Sequence, residues 1–336
     1  MGLSTYVLRR FVLLIPVIVG IATLTFIITR LIPANPIIAF LGEFARPAQV
    51  LALEQKWGLD KPLYEQYLRY MYGLFNGDLG ISIHTQRPVL ADLRDFFPAT
   101  IELSTAALLF SIALGLPLGI LSAIRRNKAT DHAARVFALS GVSMPVFWLG
   151  LLLLFVVYYK LGGPGFGRID PSISPPTRIT GLFVVDSILT SNWQALGSSL
   201  IHLILPAFVL GYATTAVISR MVRASMLEVL SQDYIRSARA HGLSERVVIY
   251  KHALRNAMIP VTTIIGLSYG SLLSGAVLTE TIFAWPGIGR YLVNSIYALD
   301  FPSITGTSIL IAMVYVGVNL IVDVAYAYLD PRIRLG

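Results

Sequence analysis

Apolar residues fall into six long runs along the chain: Phe11–Thr29, Leu103–Ile124, Val136–Tyr159, Ser199–Ser219, Ala257–Thr279 and Thr305–Leu329. A helix rises about 1.5 Å per residue, so roughly 20 apolar residues cross about 30 Å of hydrocarbon. Each run meets that length and predicts a membrane-spanning helix. Tyrosines aside, the ionisable side chains inside them are His202 and Asp323. The first run is longer than the apolar core of a secretory signal and ends in Arg30-Leu31-Ile32-Pro33, a poor cleavage site, so it reads as a retained anchor. Pro16, Pro117, Pro145, Pro206 and Pro260 lie in or at the ends of the runs and predict kinks that neighbouring helices relieve.

The polar stretches between the runs are unequal. Arg30–Thr100 is too long for a simple turn and contains two segments with helical spacing, Pro47–Trp57 and Pro62–Phe75, each opening on a proline. It predicts a small helical cap. Leu161–Gly197 is rich in Gly and Pro and reads as loop. Arg220–Asn256 predicts a continuation of the fourth spanning helix to about Leu230, a short helix from Asp233 to His241 with Asp233 as its N-cap, a stop at Gly242 and a further helix from about Ser244.

Composition agrees with a membrane class: 55% of residues are hydrophobic and 13% charged, with mean hydropathy +0.71. The net charge of +8 is not gathered into a nucleic-acid patch. Arg9, Arg10, Arg125, Arg126, Lys128, Arg135 and most basic residues of 220–256 fall on one side of the predicted bundle, as do Arg332 and Arg334. Basic residues resist translocation, so that side is expected to be cytoplasmic, with both termini there and the cap outside. Tyr158, Tyr159 and Trp285 sit where interfacial rings are expected.

Enzyme chemistry finds little material. The chain has no cysteine and five scattered histidines, with no H-E-x-x-H motif, no phosphate-binding glycine loop and no pair of intramembrane aspartates. No catalytic, cofactor or metal residues are assigned. An ion-coupled transporter acting alone would need paired charges near mid-bilayer or repeated halves, and neither is present. Asp323 reads as a partner for a cytoplasmic arginine, and His202, one turn before Pro206, as a structural group bonding a freed carbonyl. Glu280, at the outer mouth after the fifth run, reads equally as a helix-end ion pair or as a contact with the transport path.

In the short inner helix, Ser237, Ala238 and Ala240 are small, while Tyr234, Arg236 and Arg239 supply an anchoring ring and charge. Such a helix suits docking into a groove on a cytoplasmic partner or resting on anionic lipid, and residue types alone leave both open.

The whole segment, Asp233-Tyr234-Ile235-Arg236-Ser237-Ala238-Arg239-Ala240-His241-Gly242, closely resembles the coupling-helix motif of ABC importer permeases. More narrowly, the chain resembles the B-type permease subunit of the dipeptide/oligopeptide/nickel family. The likeness includes Gly58-Leu59-Asp60-Lys61-Pro62-Leu63, Gly77-Asp78-Leu79-Gly80, Ser143-Met144-Pro145-Val146-Phe147-Trp148, His252-Ala253-Leu254-Arg255-Asn256-Ala257, Leu278-Thr279-Glu280-Thr281-Ile282-Phe283, Trp285-Pro286-Gly287 and Asp330-Pro331-Arg332-Ile333-Arg334. The general motif begins Glu-Ala-Ala; here Arg236 and Ser237 replace its first two residues, while Ala238 and Gly242 are kept. Ile179-Thr180-Gly181-Leu182 before Val185-Asp186 looks most like dipeptide permeases.

The resemblance implies an all-α polytopic membrane protein with the type I ABC importer permease fold and six transmembrane helices. Residues 1–30 would form the tail and first helix, 31–100 the extracytoplasmic cap, 101–329 a core of five helices containing the coupling loop 220–256, and 330–336 a cytoplasmic tail. It further implies a bacterial or archaeal cytoplasmic membrane, a second homologous permease, two ATPase subunits or domains holding ATP and Mg, and an extracytoplasmic peptide-binding protein. Dipeptides or short oligopeptides are the expected cargo, with nickel chelates the alternative. Glu280 is the one path candidate.

Overall fold

The protein is described by a computed structural model covering residues 3–31, 37, 41–42 and 46–329. The tail motif 330–334 and the side chains of Arg9, Arg10 and Asp323 lie outside the described residues. In chain order the helices are α1 (Leu3–Leu31), α2 (Pro47–Trp57), α3 (Leu63–Phe75), α4 (Val89–Ile124), α5 (Ala129–Ser143) and α6 (Val146–Leu153). They continue with α7 (Phe183–Leu189), α8 (Trp193–Leu230), α9 (Asp233–Ala240), α10 (Glu245–Val247), α11 (Leu254–Gly275), α12 (Val277–Ile282), α13 (Ile288–Tyr297) and α14 (Phe301–Leu329). Wider π-helical turns extend α6 over Leu154–Lys160 and join α10 to α11 over Val248–Ala253.

All six apolar runs lie on helices. Four of these are long, straight enough and apolar enough to span: α4, α8, the stretch Glu245–Gly275 and Phe301–Val322 of α14. Among the described residues the bent pair of α5 with α6 and its extension brings the count to five when taken as one span, and α1, 29 residues long, carries a shorter apolar stretch at Ile15–Ile28. The third run differs from the single helix its hydropathy predicts, because α5 and α6 meet at 103°. Pro145 has no N–H to continue the ladder and disfavours helical backbone in the residue before it; Met144 is extended, with φ −89° and ψ 122°. Hydropathy averages over such a break and cannot see it. α4 outruns its apolar stretch at the end that carries the cap, and α8 outruns its own at both ends, reaching Leu230 as expected, since a helix need not stop where the hydrocarbon does.

The centre of the bundle is α8, lying against α4. Glycines set the spacing: a Cβ on Gly119 would stand 2.6 Å from the Val222 Cβ, and one on Gly211 would stand 2.6 Å from the Ala107 carbonyl oxygen. Ser111 donates at 2.7 Å to the Gly211 carbonyl across this contact. Membrane helices gain packing in this way where lipid offers no hydrophobic contrast. At the end rich in basic residues, buried Asp131 at the start of α5 accepts the Ser122 hydroxyl from α4, the Asn127 amide and a two-pronged contact from Arg223 of α8, both prongs at 2.9 Å. One carboxylate thus clamps three helices.

The 161–197 connection is more ordered than its Gly and Pro content predicts. Arg168 is buried there, 2.6 Å from Glu102 of α4, with its guanidinium 3.7 Å from the centre of the Phe183 ring. Asp186, in α7, accepts the Thr180 hydroxyl and the amides of Ile179, Thr180 and Gly181. Burial pushes this carboxyl up, but the hydroxyl and three amides together hold it below the usual carboxylate range. Trp285 is no interfacial ring; it is buried, and its Nε1 donates at 2.8 Å to the Ala99 carbonyl.

Candidate functional site

The short helix α9 lies across the basic end of the bundle. Ile235 is its anchor, 0% exposed, in a core made with Ile120 and Ala123 of α4, Val222 and Met226 of α8, Val248 of the π-helical turn before α11, and Ala257 and Val261 of α11 itself. Ala238 packs against the same core. Ile235 and Ala238 are three apart, so they share one face of the helix.

The opposite face is exposed and consists of Asp233, Arg236, Ser237 and Ala240. Asp233 differs from its expected place by one residue. Gln232, with extended backbone, is the N-cap, and Asp233 is the first helical residue, its carboxylate 3.3 Å from Arg236. Its charge still meets the positive end of the helix dipole. At the other end His241 takes the cap position, its ring nitrogen Nδ1 2.7 Å from the Ser237 carbonyl, and Gly242 has φ +78°, a left-handed conformation that glycine adopts without strain.

Two further contacts tie α9 to α10 and α11. Asn256 donates at 2.7 Å to the Tyr234 hydroxyl, and Arg239 reaches Glu245 at 2.8 Å. The small residues predicted as a docking surface are therefore divided: Ser237 and Ala240 face outward, and Ala238 faces home. Pattern alone could not separate them without knowing which side Ile235 buries.

Glu280 is not at an open mouth. It is 0% exposed; Oε1 accepts the Thr100 hydroxyl at 2.6 Å and Oε2 accepts the Arg290 amide at 3.0 Å. Arg290 lies in the first turn of α13, so this carboxylate caps α13 from the neighbouring α12. A Cβ on Gly287 would overlap this carboxylate, which is why that turn needs glycine. Thr100 and Gly287 are distant in sequence from Glu280, and nothing local announces the arrangement. His202 is buried with Nδ1 2.9 Å from the Ser198 carbonyl, rather than bonding the carbonyl that Pro206 frees, which is its own. Among the described residues no group of three or more His, Asp or Glu side chains is placed to hold a metal ion.

The matches to known proteins bear on this arrangement. Residues 115–335 match the model of the binding-protein-dependent transport system inner membrane component, and residues 3–104 match the model of the N-terminal part of such membrane components. The chain belongs to this family. It is 49% identical over 324 residues to the probable D,D-dipeptide transport system permease protein DdpB of Escherichia coli K12, covering 96% of this chain and 95% of that one. It is 47% identical over 330 residues to the dipeptide transport system permease protein DppB of Alkalihalophilus pseudofirmus, covering 98% and 99%. A permease chain in a solved structure of the inward-facing MetNI methionine ABC transporter superposes with TM-score 0.51 at 15% identity, covering 69% of this chain and 93% of that chain. At that identity the likeness is one of fold: an all-helical type I importer permease. The two family models meet within α4, between residues 104 and 115. As a family member the chain is a multi-pass inner membrane protein, and family membership brings with it ATPase and substrate-binding partners.

Proposed function

We propose that this chain is the permease subunit of an ATP-driven importer of dipeptides or short oligopeptides, and that it forms half of the translocation pathway beside a second, homologous permease. The observation that carries the reading is the placement of α9: one face fixed in a core shared by α4, α8 and α11, the other exposed. An ATPase subunit seated on Asp233, Arg236, Ser237 and Ala240 would grip the spanning helices through Ile235, because close-packed cores move as units rather than deforming continuously. ATP and Mg belong to two such ATPase subunits, and hydrolysis takes place there.

The coupling runs in four parts. ATP-driven closure of the ATPase pair moves α9. Ile235 passes the displacement to α8 and α4, and the Tyr234–Asn256 bond passes it to the start of α11. The Asp131 clamp keeps the basic ends of α4, α5 and α8 together, so they move as a body. The bundle then alternates between facing the cytoplasm and facing an extracytoplasmic peptide-binding protein. Both termini, α9 and the basic end lie in the cytoplasm. The peptide cargo rests on the dipeptide permeases to which the chain is similar over nearly its full length.

Reconstitution tests this. Vesicles holding the chain with its second permease, ATPase subunits and binding protein should accumulate a labelled dipeptide only with ATP. Accumulation by this chain alone, or of a nickel chelate in place of peptide, overturns it.

A further inference from the structure

One helix of the cap region, α3, is held against the bundle. On one side α3 packs sideways onto two spanning helices: the Tyr67 hydroxyl bonds the Thr23 hydroxyl at 2.7 Å, Phe26 meets Tyr67 edge-on and stacks on Tyr70, and Met71 shares a buried core with Ala22 and Ile309. Thr23 and Ala22 lie eight and nine residues inside the end of α1 at Leu31, about 12–14 Å along the helix axis. Ile309 is eight residues into α14, about 12 Å along it. Two independent helices therefore put α3 at the same depth, below their ends.

The other side of α3 has no partner among the described residues. Tyr64, Leu68, Tyr72 and Phe75 recur at spacings of four, four and three, one stripe on a helix, and Leu68 and Tyr72 are 62% and 75% exposed. Leu24, Ile27 and Ile28 of α1 are exposed as well. On a spanning helix that surface meets lipid. Water would leave four large apolar side chains unsatisfied on one face, whereas tyrosines beside leucine and phenylalanine suit the boundary between headgroups and acyl chains. Asp60 and Lys61 before the helix and Asn76-Gly77-Asp78 after it give polar ends to an apolar stripe.

We propose that α3 is an interfacial membrane helix, its Tyr64–Leu68–Tyr72–Phe75 face seated in the lipid of the cap-side leaflet and its other face bracing α1 against α14. The region expected to be an extramembrane cap would then be partly a membrane element. The proposal rests on α1 and α14 spanning the bilayer and not on the identity of the cargo.

The chain has no cysteine, so single cysteines give clean probes. Leu68→Cys, Tyr72→Cys and the polar control Asp60→Cys would each be labelled with bimane in the complete, transport-competent importer in lipid nanodiscs. Quenching would be read with lipids brominated near the glycerol backbone and with aqueous iodide. The expected result is bromolipid quenching at 68 and 72 at least about twofold above that at 60, with protection from iodide, as for a helix buried about 5–10 Å into the interface. Iodide quenching at 68 and 72 without bromolipid quenching overturns the proposal. So does protection from both quenchers, which would place another protein on the stripe. Measuring two positions in transport-competent protein separates these outcomes from loss of assembly.

Discussion

The amide of Asn256 donates to the hydroxyl of Tyr234 at 2.7 Å, joining the free-standing side of α9 to the first turn of α11. The bond is exposed, so its removal costs little stability, about 0.5–1.5 kcal/mol at most. Its value lies in geometry: it is a second link, beside Ile235, between the docking helix and the spanning helices. Tyr234→Phe should leave expression and ATPase binding intact while lowering transport per ATP hydrolysed. Simultaneous uptake and phosphate-release measurements on the reconstituted importer would check it, and an unchanged ratio would count against a role in coupling.

Ser237 and Ala238 are neighbours with opposite fates, and a bulky residue should expose the difference. Ser237→Trp projects from the exposed face and should abolish ATPase association with melting of the isolated permease unchanged. Ala238→Trp forces an indole into the core around Ile235 and should destabilise the permease itself, by about 1–3 kcal/mol as overpacking does. Thermal unfolding in detergent beside ATPase pull-down separates the two; equal loss of stability in both would show that the faces are misassigned.

Glu280 should prove structural. Glu280→Gln keeps an acceptor for Thr100 or Arg290 and should be mild, whereas Glu280→Ala leaves both donors buried without a partner, at a cost of about 1–3 kcal/mol for each donor stranded. Gly287→Ala should resemble Glu280→Ala, since the added methyl meets the same carboxylate. Transport by the Gln variant should keep its peptide KM. A changed KM with normal stability would instead return Glu280 to the transport path.

Asp131→Ala should loosen the basic end, because it strands Arg223 and releases Ser122 and Asn127 together. Loss of the charged partner predicts destabilisation of about 1–3 kcal/mol or more. Limited proteolysis should then show cleavage within 125–130, which the intact clamp protects. An unaltered cleavage pattern would mean that close glycine packing between α4 and α8 suffices without it.

Sequence and structure part company at identifiable places. The lengths of the spanning runs, the basic side and the start and stop of α9 to within one residue follow from local physics: hydropathy, charge and a glycine that must be left-handed. The 103° turn at Met144-Pro145 was legible only as a kink, because nothing in the apolar pattern distinguishes a bent pass from a broken one. The π-helical turns leading into α11 leave no compositional trace. Glu280, Trp285 and Arg168 depend on partners far along the chain, at Thr100, Ala99 and Glu102, and no local pattern reveals those contacts. Which of Ser237, Ala238 and Ala240 face outward likewise awaited the position of Ile235.

The most direct test is a single cysteine on the exposed face of α9. With Ser237→Cys as the only thiol in this chain, the complete importer should form a short-spacer cross-link to an ATPase subunit, with a yield that changes when ATP is added. Maleimide labelling should be blocked in the assembled complex and restored when the ATPase subunits are stripped away. If the thiol at position 237 labels equally in both states and cross-links to neither ATPase, α9 is not the coupling surface.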